Sequence, residues 1–159
     1  MDETKQQYDY SGVDDIKDMV HEFTMLENYV EMRSADFKAL NLKIYFDLAG
    51  KGTPENPVTD INIEDFEVKF YNGIKYTVNH EDKMYASIVE IIKLKHHLEE
   101  LNEQLMNGHT KLWKCISESF DVNLIGDWRI NKEKMLIEKR HSGSEILSQL
   151  HKMFLNDDE

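Results

Sequence analysis

Two long apolar ladders constrain this chain more than any other feature. The first runs Ile16, Met19, Phe23, Leu26, Val30, then Arg33, then Phe37, Leu40 and Ile44. The second runs Met84, Ser87, Ile91, Leu94, Leu98, Leu101, Leu105, Gly108 and Leu112. Both step alternately by three and four residues, the spacing that keeps one face of an α-helix against a partner helix. Such helices build shape rather than chemistry. The fold class this predicts is α+β, helix-dominated: two long antiparallel helices, two short β-hairpins and a short C-terminal helix.

Boundaries follow from caps and breakers. Ser11 and Asp14 have capping-box spacing, which starts the first helix near Gly12. It runs to Leu48 or Ala49, where Gly50, Gly52 and Pro54 stop it, a length of roughly 55 Å. Two alternatives stay open. Ser34 offers a second cap, so residues 12–49 read as one helix or two. Leu40, Leu42, Ile44, Phe46 and Leu48 also alternate with period two, as in a strand, although Phe37, Leu40, Ile44 and Leu48 form a helical stripe. Arg33 and Asp47 interrupt the ladder; a buried charge needs a partner, so they are expected where the helix leaves the core. The second helix starts near Glu81 and reaches Phe120, with Trp113, Ile116 and Phe120 extending its apolar face. Gly108 is expected to mark a break or a close contact.

Residues 50–62 hold both prolines and read as a loop. Phe66, Val68 and Phe70, then Ile74, Tyr76 and Val78, alternate around Asn72-Gly73, a hairpin signal. A two-residue turn would split these six between faces. A three-residue loop, Tyr71-Asn72-Gly73, pairs Phe70 with Ile74, Val68 with Tyr76 and Phe66 with Val78, and places Gly73 in the left-handed conformation. A second hairpin is expected with Asn131-Lys132-Glu133-Lys134 as its turn, pairing Ile130 with Met135 and Trp128 with Ile137. Ser142 and Glu145 cap a short amphipathic helix carrying Ile146, Leu147, Leu150, Met153 and Phe154. The domain organisation expected is a flexible segment over 1–10, one domain over 11–155 and an acidic tail over 156–159.

The chain of 159 residues carries a net charge of −12 with 40% apolar residues. Ten acids stand against three bases in residues 1–36, and seven against three in residues 51–82. Phosphate backbones repel such a surface, which disfavours direct nucleic-acid binding and favours a basic groove on another protein. No apolar run approaches the roughly 20 residues that span a bilayer, so no membrane partner is expected. The polar, acidic start does not read as a signal peptide. A sole cysteine, Cys115, fits a reducing, cytoplasmic setting.

Motifs for chemistry are missing from the sequence. His96 and His97 are adjacent and diverge by about 100° on a helix, so they do not chelate as an i, i+4 pair would. His80-Glu81-Asp82 looks ligand-like, but its place at a helix start fits capping. No calcium-loop, zinc-protease or phosphate-loop pattern occurs. Cys115 sits among apolar neighbours, and Ser142-Gly143-Ser144 lacks the frame of a nucleophile elbow. Arg129, Lys132, Lys134, Lys139 and Arg140 fit a lysine-protected hairpin edge better than a phosphate-binding face. The sequence therefore leads to a non-enzyme with no cofactor and no metal.

The functional expectation is an acidic protein-binding module. Its concrete form is an inhibitor that occupies the basic surface of a nuclease or DNA-binding protein, as anti-restriction and anti-CRISPR proteins do as a class. The expected contact residues are Asp14, Asp15, Asp18, Glu22, Asp60, Glu64, Asp65 and Glu67. The alternative is a self-associating coiled-coil structural or adaptor protein, in which a homodimer pairs the heptads between chains. The richness in Lys, Asn, Ile and Glu with few prolines has a phage-like texture.

Overall fold

Helical periodicity in the sequence becomes two 36-residue helices. The computed structural model describes residues 6–124 and 127–139, and contains β1 (Gln7–Asp9), α1 (Asp14–Ala49), β2 (Val58–Asn62), β3 (Glu67–Phe70), β4 (Lys75–Thr77), α2 (Tyr85–Phe120), β5 (Trp128–Asn131) and β6 (Leu136–Lys139). The architecture is helix-dominated α+β, with two antiparallel three-stranded sheets in the orders β1-β6-β5 and β2-β3-β4. The described chain divides into two compact units, each with its own apolar core. Among the described residues, unit 1 comprises 6–23, 108–124 and 127–139, and unit 2 comprises 24–107.

In unit 1 the first turns of α1 supply Ile16 and Val20, and the last turns of α2 supply Leu112 and Ile116. Tyr10 and Ile137 complete this core. Residues 7–9, expected to belong to a flexible lead-in, instead form β1, with Tyr8 opposite Ile137. Pairing with a segment so distant in sequence leaves no local signal, and β1 has only three residues. Val13 precedes α1 and its carbonyl accepts from Lys17 N–H. The Ser11 capping role is not realised: Ser11 N–H donates to Asp9 Oδ1 at 2.8 Å, while Asp14 and Asp15 place negative charge in the first turn.

α2 ends in a two-bond left-handed cap. Asp121 has φ of +50°, Val122 N–H donates to the Ser117 carbonyl and Asp121 N–H to that of Glu118. Gly108 does not break α2. It is the close contact: a Cβ there would lie 3.3 Å from Phe23 Cδ2.

The β5–β6 register differs from expectation by two residues. Ile130 pairs with Ile137 and Trp128 with Lys139, not with Met135 and Ile137. The turn is Lys132–Met135, fixed by Lys134 N–H donating to Asn131 Oδ1 and by Met135 at φ +55°. A slip of two preserves strand faces, so the apolar pattern by itself does not exclude it. Met135 thereby leaves the core and is exposed.

In unit 2 the second part of α1 lies antiparallel to the first part of α2. Ile44 and Leu48 meet Met84, Ile88 and Ile91; β3 adds Val68, and Val78 joins them just past the end of β4. α1 continues past Arg33 and Ser34 without a break, and residues 40–48 are helical. Arg33 is half-buried and its Nη1 donates to Asp36 Oδ2 at 3.0 Å; Asp47 is exposed. The β3–β4 register is the three-residue-loop one. Val68 pairs with Tyr76, Phe70 N–H donates to the Ile74 carbonyl, and Gly73 has φ of +87°. Val68 and Val78 are buried, whereas Ile74 and Tyr76 stay exposed.

Val58–Asn62, read from the sequence as loop, is strand β2. A bulge between Val58 and Asp60 puts Val58 and Ile61 both toward the core, a spacing of three that hides the period of two. The C-terminal helix expected after Ser142, the Ser142-Gly143-Ser144 turn and the acidic tail lie outside the described residues.

Candidate functional site

The expected contact acids fall into two sets. Asp14, Asp15, Asp18 and Glu22 belong to unit 1, and Asp60, Glu64, Asp65 and Glu67 to unit 2. The first four are exposed on α1. At about 100° per residue they share an arc of about 100°, opposite the face that buries Ile16 and Val20. They occupy about 12 Å of helix axis in uneven steps of about 1.5, 4.5 and 6 Å, a mean of about 4 Å. One DNA strand presents a phosphate about every 3.4 Å of axis. Lys17 pairs with Asp14 at 3.1 Å, the one ion pair within this segment among the described residues.

The second set is partly committed to structure. Glu64 is bridged by Lys95, whose hydrogen bond and charge hold the Glu64 carboxyl below its ordinary range. Asp65 accepts from Asn62 Nδ2 at 2.9 Å, and its N–H donates to Asn62 Oδ1. Glu67 is half-buried on β3, 3.9 Å from Lys75. Asp60 stands exposed on β2.

Between these acids and the helices lies a groove that the sequence does not reveal. Its walls are Phe37, Asn41 and Tyr45 of α1, residues 60–64, and Ile91, Ile92 and Lys95 of α2, with a volume of about 470 Å³. A smaller recess of about 300 Å³ continues from Tyr45 to Ala49 against residues 58–61. Phe37, Asn41, Tyr45 and Ala49 recur every four residues, so one face of α1 forms the whole wall. Leu42 and Phe46 are adjacent to that wall on the helix and are 73% and 79% exposed. The signal for them was available: both lie off the buried stripe of Phe37, Leu40, Ile44 and Leu48.

The most perturbed carboxylate is elsewhere in unit 2. Asp82 Oδ2 accepts from Lys51 Nζ at 2.7 Å and from the Tyr76 hydroxyl at 2.9 Å, while Oδ1 accepts from Met84 N–H at 2.9 Å. The Lys51 ammonium is the main cause that lowers the Asp82 pKa to about 2. Lys51 also lies 4.8 Å from the centre of the Tyr76 ring. Three donors engage this carboxylate, so the cluster is a tie that closes the start of α2 onto β4 and the loop after α1. It is poorly placed for proton transfer.

Among the described residues no three His, Cys, Asp or Glu side chains are grouped to hold a metal ion. Asp82 acts as the cap expected of the 80–82 run, and His80 stacks on Tyr85 with centroids 4.5 Å apart. His97 faces Tyr29, His109 accepts from Trp113 Nε1, and Cys115 packs against the unit 1 core. Arg129, on edge strand β5, pairs with Glu138 at 3.1 Å. Among the described residues no helix is long and apolar enough to cross a membrane. Comparison with protein-family models, curated proteins and solved structures returns no match.

Proposed function

We propose that this chain is a non-catalytic, acidic protein-binding module that occupies a basic surface, of the kind a nuclease or DNA-binding protein offers to nucleic acid. The observation that carries the reading is the row Asp14, Asp15, Asp18 and Glu22. It is exposed and confined to one helix face, with four carboxylates gathered within about 12 Å of axis. A rigid helix presents these charges already ordered, which lowers the entropy lost on binding. A basic groove attracts them at long range and speeds encounter. The reading includes no cofactor and places the protein in the cytoplasm, where its sole cysteine stays reduced.

The test is charge reversal. Affinity capture from nuclease-treated bacterial lysate supplies a partner, and binding is then measured with Asp14, Asp18 and Glu22 changed together to lysine. Binding should fall steeply, should weaken with added salt, and should be displaced by duplex DNA. An affinity indifferent to salt and to the reversal would refute electrostatic recognition.

A second reading, self-association, has one observation in its favour. Leu42 and Phe46 form an exposed i, i+4 apolar pair on α1. The rungs of the heptad ladders are buried or half-buried, so self-association would use this exposed pair before the ladders. Light scattering decides it: a dimer that Leu42→Ser with Phe46→Ser dissolves supports this reading, and a monomer removes it.

A further inference from the structure

β2 is an edge strand of its sheet. Sheet order β2-β3-β4 leaves β2 outermost, and among the described residues no strand pairs with its far side. Strand residues 60–62 line the 470 Å³ groove consecutively, with turn residues Ile63 and Glu64 beyond them, and strand residues 58–61 line its continuation consecutively. A strand that showed a face to a cavity would contribute alternate residues. No residue of β3 lines either recess, so both run along the edge of β2 that faces away from β3. The opposite wall is the α1 stripe Phe37, Asn41, Tyr45 and Ala49. An edge beside a helix wall is the geometry by which extended peptides add to sheets: main-chain hydrogen bonds hold the backbone, and recesses take alternate side chains.

Charge selects the occupant. Asp60 and Glu64 line the groove against one cation, Lys95, which Glu64 already holds. Two copies of this edge laid side by side would oppose carboxylates, and the bulge between Val58 and Asp60 further spoils such a flat pairing. Basic side chains on an incoming strand would instead meet Asp60. Apolar ones would meet Phe37, Tyr45 and Ile63, with Leu42 and Phe46 beside the wall.

We infer that the β2 groove binds an extended segment of a partner protein in which basic and apolar side chains alternate, added as a fourth strand to the β2-β3-β4 sheet. The inference rests on the reading of the chain as a protein-binding module and supplies it with a second, shape-specific contact.

The test uses the full chain, labelled for amide NMR, and a short peptide of alternating valine and lysine. Amide shifts should concentrate at residues 58–63 and around Tyr45. Asp60→Lys, at an exposed position, should weaken binding roughly threefold to tenfold without changing the circular dichroism spectrum. The same peptide N-methylated at alternate amides should lose binding, because it keeps its charge and loses main-chain donors. If the methylated peptide binds equally, or a valine-glutamate peptide competes equally, strand addition is overturned while the acidic-row reading stands. Shifts at residues 58–63 that grow with protein concentration alone would also overturn it, in favour of a second copy. Conversely, peptide binding at β2 combined with partner binding indifferent to reversal at Asp14, Asp18 and Glu22 would sink the acidic-row reading and leave the groove.

Discussion

Removing the charge of Asp82 should weaken unit 2, and the amount can be worked from its contacts. In the folded chain the carboxyl titrates at about 2 against an ordinary 3.8, chiefly because Lys51 donates to it and Met84 N–H binds it. Each unit corresponds to about 1.4 kcal/mol, so the charged form contributes at most about 2 kcal/mol, less what solvent screens at the half-exposed Lys51. A folded pKa below the unfolded one gives stability that is present above pH 3.8. It is lost as pH falls through about 2, so the loss should begin near pH 5 and be nearly complete by about pH 2.

Asp82→Asn removes this term and keeps an acceptor for Met84 N–H. At pH 7 it should lower stability by up to about 2 kcal/mol, or the melting temperature by up to about 4–8 °C. The gap between the variant and the natural protein should close as the pH approaches 2. The assay is urea unfolding followed by circular dichroism across pH, with amide exchange at Val68 and Ile88 to read the unit 2 core. Trp113 and Trp128 belong to unit 1, so tryptophan fluorescence supplies an internal comparison. A variant that matches the natural protein at pH 7, or keeps a constant deficit down to pH 2, would refute the argument that this ion pair is a stabilising tie.

Other substitutions test packing and backbone. Ile88→Ala empties a fully buried site and should cost about 2–5 kcal/mol in denaturant unfolding. Gly52→Ala places a Cβ 2.7 Å from Val58 N, where only backbone can yield, and should destabilise markedly, whereas Gly12→Ala, with open space around it, should change stability by less than about 0.5 kcal/mol. Gly108→Leu should cost about 1–3 kcal/mol by driving into Phe23, and Gly108→Ala should stay within about 0.5 kcal/mol because the half-buried ring can shift while the helix gains propensity. Leu42→Ser with Phe46→Ser should leave the melting temperature nearly unchanged, since both side chains are exposed; a large drop would mean that they pack against something within the chain.

Sequence alone indicated two long helical stretches, because a stripe every three and four residues has one economical way out of water, while the fold decided that α1 is one helix and that residues 40–48 are helical. Sequence also determined the β3–β4 register, since only the three-residue loop puts all six apolar side chains on one face and a glycine where φ is positive. Tertiary structure decided what pattern leaves degenerate. The β5–β6 register slipped by two because a slip of two keeps every face, and Asn131 then fixed the turn. β2 escaped notice because its bulge destroys the alternation that marks a strand, and β1 because its partner is remote in the chain. The acids were legible as charge, but not their division between two units or the loss of Glu64 to Lys95. A groove has no period at all: the wall from Phe37 to Ala49, the β2 edge and Ile91 meet only once the chain has folded, since proximity between residues so far apart in sequence is a property of packing and not of order along the chain.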